Sequence, residues 1–267
     1  MPSVRLATWN INSVRLRADL VSAFLRRHQP DLLCLQETKV IDALFPHKPF
    51  RAEGYVHQAI NGQKGYHGVA ILSRLPFAKT DALSFCGKED RRHIAVTLES
   101  GLELHNFYVP AGGDIPDPKA NPKFAHKLDF LREMTEQFAK RRKERSAPLV
   151  LVGDLNVAPL EHDVWSHKQL LNVVSHTPAE TQLLGEVQSA FDWIDVTRSF
   201  VPHDQKIYSW WSYRAHDWQA SDRGRRLDHI WVSPGLKGAA SQHEILREAR
   251  SWERPSDHVP VLTTLDF

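Results

Sequence analysis

An α/β fold is what this 267-residue sequence predicts, on three observations. Strand-like runs at Val4 to Trp9, Asp31 to Gln36 and Leu149 to Gly153 each give way to a polar tip, as buried strands do at a sheet edge. Other stretches carry helical spacing, with Val14, Ala18, Val21 and Leu25 on one stripe and Phe124, Leu128, Leu131 and Phe138 on another. Proline and glycine are scattered and no low-complexity linker divides the chain, which reads as one domain over residues 1–267.

Taken in order, Val4 to Trp9 is the first strand and ends at Asn10-Ile11-Asn12. A helix over residues 14–28 follows, its stripe widened by Leu20 and Phe24. It must stop near Gln29, because Pro30 disfavours the helical conformation in the residue before it. Asp31 to Gln36 is a short buried strand that delivers Glu37, and further strands fall at 68–73, 92–98 and 102–109. The long helix marked by Phe124 to Phe138 ends in the basic run Lys140 to Arg145. Positive side chains suit a helix C-terminus, so a solvated helix end accounts for that run without a partner. Leu149 to Gly153 is the central strand before Asp154. Thr177-Pro178-Ala179-Glu180 has the form of a capping box with proline at the first helical position, which starts a helix. Strands return at Ile207 to Trp211, Arg226 to Val232 and His258 to Leu265.

Composition sets mild limits. Hydrophobic residues at 42% and charged residues at 25% are the balance of a soluble globular protein, and the length allows a substantial core. A net charge of +2 neither demands nor excludes a nucleic-acid partner, since a basic face opposed by an acidic site gives the same sum. Cys34 and Cys86 make no disulfide framework and no zinc pattern, which favours a reducing cytoplasm. Cys34 lies in an apolar run, where a buried thiol is expected. The N-terminus lacks a signal-peptide core and no stretch is long enough to span a bilayer, so a cytoplasmic, membrane-free protein is expected. Nothing resembles a heptad seam or a long apolar stripe, which makes a monomer the default.

The polar tips carry the chemistry. Glu37 and Asp257 are carboxylates, while Asn10 and Asn156 offer amide oxygens. Such donors suit Mg²⁺ or Mn²⁺, hard cations that keep waters for substrate oxygens to replace. A cation of that kind commonly serves a phosphate. Asp154 and His258 could then handle the proton of an attacking water, with Asp228 fixing the tautomer of His258 and favouring its cation. Each acid taken singly is more readily a cap, a turn former or half of a surface ion pair. Several independent strand ends with the same kind of side chain weaken that reading.

These segments also match a known family. Thr8-Trp9-Asn10-Ile11-Asn12, Leu35-Gln36-Glu37-Thr38-Lys39, Gly62-Gln63-Lys64-Gly65, Asn106-Phe107-Tyr108-Val109-Pro110, Gly153-Asp154-Leu155-Asn156, Ser209-Trp210-Trp211-Ser212-Tyr213-Arg214, Arg226-Leu227-Asp228 and Pro255-Ser256-Asp257-His258-Val259-Pro260 occur in its order. From about Arg5 to the C-terminus the chain resembles the exonuclease III family of apurinic/apyrimidinic endonucleases, within the endonuclease/exonuclease/phosphatase superfamily.

The resemblance implies a four-layered α/β sandwich, with two mixed β-sheets packed face to face and helices outside. It implies a Mg²⁺-dependent hydrolase that cuts DNA 5′ to abasic sites and often processes 3′ ends, as a 3′→5′ exonuclease, 3′-phosphodiesterase or phosphatase. Its partner would be double-stranded DNA with abasic sites or blocked 3′ ends. Carried over by position, Glu37 would be the principal metal ligand, assisted by Asn10 and Asp257, and the resemblance leaves Asp154, Asn156 and His258 open as further ligands in some states. Asp154 would activate water, Asn156 would hold that water or the phosphorane, and His258 with Asp228 would meet a phosphate oxygen. Tyr108 would lie against the scissile phosphate. Trp210 and Leu227 would wall a pocket for a flipped-out abasic sugar, while alternation leaves at least one of Trp210 and Trp211 to the core. Arg92 and Lys64, followed by Arg91 and Arg214, are candidate phosphate contacts.

Two positions depart from the family pattern. Ala111 stands where relatives carry a DNA-touching amide, and Arg225 stands where they carry an apolar pocket residue. Both bear on the balance between endonuclease and 3′-end work rather than on hydrolysis itself. An enzyme that is mainly a 3′→5′ exodeoxyribonuclease or 3′-phosphatase is therefore the near alternative. A phosphoesterase for RNA tails, phosphoinositides or sphingomyelin fits Tyr108 and Trp210 poorly, and a non-catalytic DNA-binding protein would not need Glu37, Asp154, Asn156, Asp257 and His258 all to be present.

Overall fold

The computed structural model describes residues 3–143 and 148–267. In chain order the first elements are β1 (Ser3–Asn10), α1 (Ala18–His28), β2 (Leu32–Gln36), α2 (His47–Ala52), β3 (His57–Asn61), β4 (Val69–Ser73) and β5 (Phe77–Asp81). Then come β6 (His93–Leu98), β7 (Glu103–Tyr108), α3 (Pro122–Lys143), β8 (Leu149–Asp154), α4 (His167–Leu170) and α5 (Pro178–Phe191). The last third holds β9 (Ile194–Asp195), α6 (Val196–Phe200), β10 (Trp210–Trp211), α7 (Trp218–Ser221), β11 (Gly224–Arg225), β12 (Asp228–Val232), β13 (Ala240–Ile245) and β14 (Val261–Asp266).

These strands form two six-stranded sheets, ordered β13-β14-β1-β2-β4-β3 and β5-β6-β7-β8-β12-β9, plus the short ribbon β10-β11. The pairs β1–β2 and β7–β8 are parallel and their neighbours antiparallel, so both sheets are mixed. The sheets face each other. Val4, Leu6, Leu32 and Cys34 of one share a buried cluster with Val96, Leu104, Val150 and Ile230 of the other. The alternate residues turn the opposite way: Trp9, Leu33 and Leu35 pack on Val21, Phe24 and Leu25 of α1. Likewise Phe107, Leu149 and Leu151 pack on Phe124, Leu131 and Phe138 of α3 and Leu184 and Val187 of α5. The layers thus run helix, sheet, sheet, helix, the expected sandwich. Burial on both faces explains why β2, β4 and β8 are almost continuously apolar rather than alternating.

The helix signals hold at several ends. Gln29 closes α1 in the left-handed conformation with its N–H on the Leu25 carbonyl. Thr177 caps α5, its hydroxyl accepting from the Glu180 N–H at 3.3 Å and donating to a Glu180 carboxylate oxygen at 2.7 Å. We expect Thr177→Ala to cost about 1 kcal/mol, read as a lower urea midpoint at unchanged m-value. At the end of α3, Arg141 pairs with Glu103 and Arg142 with Asp192, in keeping with a helix end that finds local partners. Glu144 and Arg145 of the basic run lie outside the described residues. Among the described residues no helix is long and apolar enough to cross a membrane.

Several elements are shorter than their sequences suggest: the strand expected over Arg226 to Val232 is Asp228–Val232, and that expected from His258 begins at Val261. The first helix begins at Ala18 rather than residue 14, because Asn12 (φ 46°) and Ser13 (φ 85°) are left-handed and Arg17 reaches back to the Ile11 carbonyl and across to that of Arg254. Val14 is nevertheless buried. The strand expected over 207–211 contracts to Trp210–Trp211, since the Ile207 N–H turns to the His162 carbonyl.

Candidate active site

Register places the polar tips together. Parallel pairing sets Asn10 beside Gln36 at the ends of β1 and β2, so Glu37 follows directly. In the other sheet Tyr108 of β7 pairs with Asp154 of β8, and Asp228 of β12 faces Asp154 from the far side. Gln36 crosses between the sheets, donating to Asn106 at 2.7 Å and to Thr8 at 2.9 Å, which fixes one edge against the other. Gly153 is needed here: at φ 138° it lies so near β7 that a Cβ would come within 1.9 Å of the Phe107 carbonyl oxygen. Of the non-glycine residues with left-handed backbone, Asn12, Ser13, Glu37, Lys39 and Asn156 lie in the polar-tip segments. Such strain persists where surrounding contacts over-determine it, a pattern typical of functional sites.

The side chains form one connected cluster. Asn10 donates through Nδ2 to Glu37 Oε1 at 3.0 Å and to Asp154 Oδ2 at 2.9 Å, joining the two sheets. Its oxygen accepts the Asn12 N–H at 3.0 Å, so Asn10 presents an amide N–H, not the expected oxygen, to the carboxylates. Tyr108 donates its hydroxyl to Glu37 Oε1 at 2.8 Å, and burial beside Glu37 and Asp154 holds that phenol protonated. Asn156 caps Asp154 twice, by its N–H to Oδ1 at 2.9 Å and by Nδ2 to Oδ2 at 3.1 Å. Asp257 accepts from Trp210 Nε1 at 3.0 Å and from Asn12 Nδ2 at 3.1 Å.

His258 and Asp228 are paired as expected, Nδ1 to Oδ2 at 2.8 Å, and Ser209 Oγ donates to the same oxygen at 2.7 Å. Burial opposes the charge on His258, but the carboxylates of Asp228 and Asp154 outweigh it and raise the imidazolium to about 10. The other ring nitrogen lies 3.7 Å from Asp154 Oδ2. Asp154 is pushed up to about 7, first by burial, partly offset by the His258 cation.

A cation site fits these residues. Lys39 Nζ lies 2.8 Å from Glu37 Oε2 and 2.5 Å from Asn12 Oδ1, so an ammonium already sits among the oxygens of the first strand tips. Asp257 joins that set through Asn12. A second candidate group is Asp154, Asp228 and His258, whose ligand atoms lie within 4.8 Å of one another.

The remaining expected residues divide. Trp210 is half-buried and, with Leu227, belongs to a small apolar cluster with Ala158, Val164 and Leu170, while Trp211 is fully buried in the core. Arg92 is buried, paired with Asp90, donating to the Tyr108 carbonyl and lying 4.9 Å from the Tyr108 ring. It therefore positions Tyr108 as much as it offers a cation. Lys64 is exposed on the β3–β4 loop, outside the hydrogen-bonded cluster. A cleft of about 760 Å³ opens beside Glu37 and Tyr108, with Lys88 and Lys123 on its walls. Sequence reasoning passed over Asn12, Lys39 and Ser209 as site residues. All three stand in the motif segments, and this membership was the available signal.

Comparison with known proteins identifies the family. The endonuclease/exonuclease/phosphatase family model matches residues 7–258. The exodeoxyribonuclease III of Haemophilus influenzae is 30% identical over 97% of this chain and 98% of its own. An AP endonuclease from Archaeoglobus fulgidus superposes with a TM-score of 0.90 at 31% identity, covering 99% of this chain and 100% of that one. A 3′ phosphatase from Neisseria bound to a product DNA hairpin gives the same score, identity and coverage. This chain belongs to the endonuclease/exonuclease/phosphatase family and, within it, to the exonuclease III group of apurinic/apyrimidinic endonucleases.

Proposed function

We propose that this protein is a Mg²⁺-dependent DNA-repair hydrolase that cuts the phosphodiester 5′ to abasic sites and processes blocked 3′ ends. The observation that carries this is the single hydrogen-bonded cluster in which Asn10 joins Glu37 to Asp154 while Asp228 holds His258. Glu37 and Asp257, with the Asn12 oxygen, would hold Mg²⁺ or Mn²⁺, which supplies charge neutralisation at the phosphoryl oxygens. Asn10 holds both carboxylates in place through its N–H groups. Asp154 takes the proton of the attacking water, and Asn156 keeps Asp154 aimed. His258, kept cationic by Asp228, meets a non-bridging phosphate oxygen and stabilises the charge that grows there. Tyr108 stands by the leaving 3′-oxygen as a protonated donor. Lys88, Arg92 and Lys123 along the cleft suit the strand backbone.

The test uses purified protein and Mg²⁺ with three duplexes: one tetrahydrofuran abasic analogue, one undamaged, one ending in a 3′-phosphate. Incision on the 5′ side of the analogue, leaving a 3′-hydroxyl, is expected. Activity on the other two without incision at the analogue leaves an exonuclease or 3′-phosphatase. Inertness on all three points to a DNA-binding protein without catalysis.

A further inference from the structure

Lys127 of α3 and Glu180 of α5 form an ion pair with no exposed side-chain surface on either partner. An ammonium has three protons to donate, and here each has an acceptor. One meets Glu180, one the Asn156 carbonyl at 2.7 Å and one the Ala111 carbonyl at 3.3 Å. The Glu180 carboxylate also accepts the Ser175 N–H, at 2.9 Å to each oxygen, and the Thr177 N–H at 3.1 Å. Ser175 in turn accepts the Ala158 N–H on its carbonyl at 2.8 Å. One buried pair thus gathers three loops: the chain after β7, the chain after β8 and the chain before α5.

The backbone is unusual where the pair grips it. Asn156 (φ 54°) and Ser175 (φ 88°) are left-handed without being glycine, and Gly112 (φ 90°) follows Ala111. Such conformations persist only where their surroundings over-determine them. A Cβ on Gly112 would come within 2.9 Å of Lys127 Cδ, so the lysine stem runs tight under that turn. Asn156 links the pair to the chemistry. Its N–H and its Nδ2 hold the two oxygens of Asp154, at 2.9 and 3.1 Å, from a backbone whose carbonyl the ammonium fixes. Stability alone gives little reason for charge here, since buried ion pairs can often be replaced by apolar residues of similar volume without loss.

We infer that Lys127 is a positioning residue for the hydrolytic step, fixing the Asn156 backbone from behind the site and, through Asn156, the aim of the Asp154 carboxylate. The inference rests on the hydrolase reading above, and Lys127, being fully buried, acts without meeting substrate. Single-turnover kinetics on whichever of the three duplexes the wild type cleaves give a maximal rate and a half-saturating concentration. The variant is Lys127→Met with Glu180→Gln, which strands no buried charge and keeps an acceptor for Ser175 and Thr177. Its maximal rate is expected to fall by about tenfold to a hundredfold, the scale on which small misplacements of reacting groups act, with half-saturation within about threefold of the wild type. Lys127→Arg, which keeps a cation with several donors, should recover most of the lost rate. Should the double variant not fold, Lys127→Gln with Glu180→Gln takes its place under the same criteria. A lowered urea midpoint with an unchanged maximal rate makes the pair purely structural and overturns the inference. A loss confined to half-saturation, or one that Lys127→Arg does not relieve, overturns it too. Wild-type protein inert on all three duplexes would instead sink the hydrolase reading itself, and this inference with it.

Discussion

Replacing Asp154 with asparagine is expected to lower turnover by about 10²–10⁴-fold while leaving DNA affinity within roughly threefold. The side chain is almost fully buried, and each of its oxygens already accepts from an amide of Asn10 or Asn156. Asparagine keeps the shape but cannot take a proton from water. Affinity should survive, because phosphate-facing cations such as Lys88 and Lys123 stand in the open cleft rather than in the cluster. Single-turnover rates and fluorescence anisotropy separate the two quantities. If affinity falls with turnover, Asp154 holds the substrate or its cation, and the base role is wrong. The wild-type pH profile adds a check. The base form is needed, so turnover should climb as Asp154 ionises, about pH 7 without a cation and lower once one lies beside it. That rise should vanish in Asp154→Asn.

On the proposed mechanism Asp154 and His258 would divide the work because their surroundings push them apart. Burial lifts Asp154 toward neutrality, where a base is most useful, while Asp228 and Asp154 keep His258 charged to about 10. One group can accept a proton while its neighbour at 3.7 Å stays cationic. Both depend on partners that hold them still: Asn10 and Asn156 for Asp154, Asp228 and Ser209 for the imidazole.

Much of this was legible from the sequence, for physical reasons that differ by element. Strands β1, β2 and β8 lie between two cores, so their apolar runs announced them, and the chain just past each had to be polar. Strand β5 is mostly exposed beyond Phe77, and β13 is largely exposed along its length, so neither carries a hydrophobic pattern. Ribbon β10-β11 is set by pairing rather than by local propensity, which the two tryptophans did not reveal. In the site, carboxylates and His258 could be picked out by residue type. Asn12, Lys39 and Ser209 matter through where they meet other residues, up to 245 positions apart for Asn12 and Asp257. The orientation of Asn10 is likewise a property of the assembled network, since either end of an amide satisfies the sequence pattern.

Arg226→Met is expected to destabilise the fold by about 3–5 kcal/mol, because it takes the two-pronged partner from a buried acid. Arg226 has no exposed side-chain surface. It holds Asp163 by two parallel bonds of 2.8 Å and Asp195 by a third, while Arg198 meets Asp163 from another side. Methionine fills similar volume but leaves Asp163 with Arg198 alone among these cations. The change also loosens Leu227 and Asp228, which follow directly, so turnover should fall with stability. Acid titration distinguishes this mechanism from simple misfit. Burial by itself raises Asp163, but Arg226 and Arg198 outweigh it and hold the carboxyl down to about 2, against an ordinary 3.8. The unfolded chain therefore binds the proton first as pH falls. Roughly 2 kcal/mol of stability from this group is fully present above about pH 4 and lost as pH drops through 2. In Arg226→Met the Asp163 carboxyl moves back toward its ordinary value, so urea-unfolding stability should decline less steeply between those limits than in the wild type. A variant that is less stable at pH 7 yet keeps the wild-type acid slope would show that Arg226 acts by packing and not through Asp163.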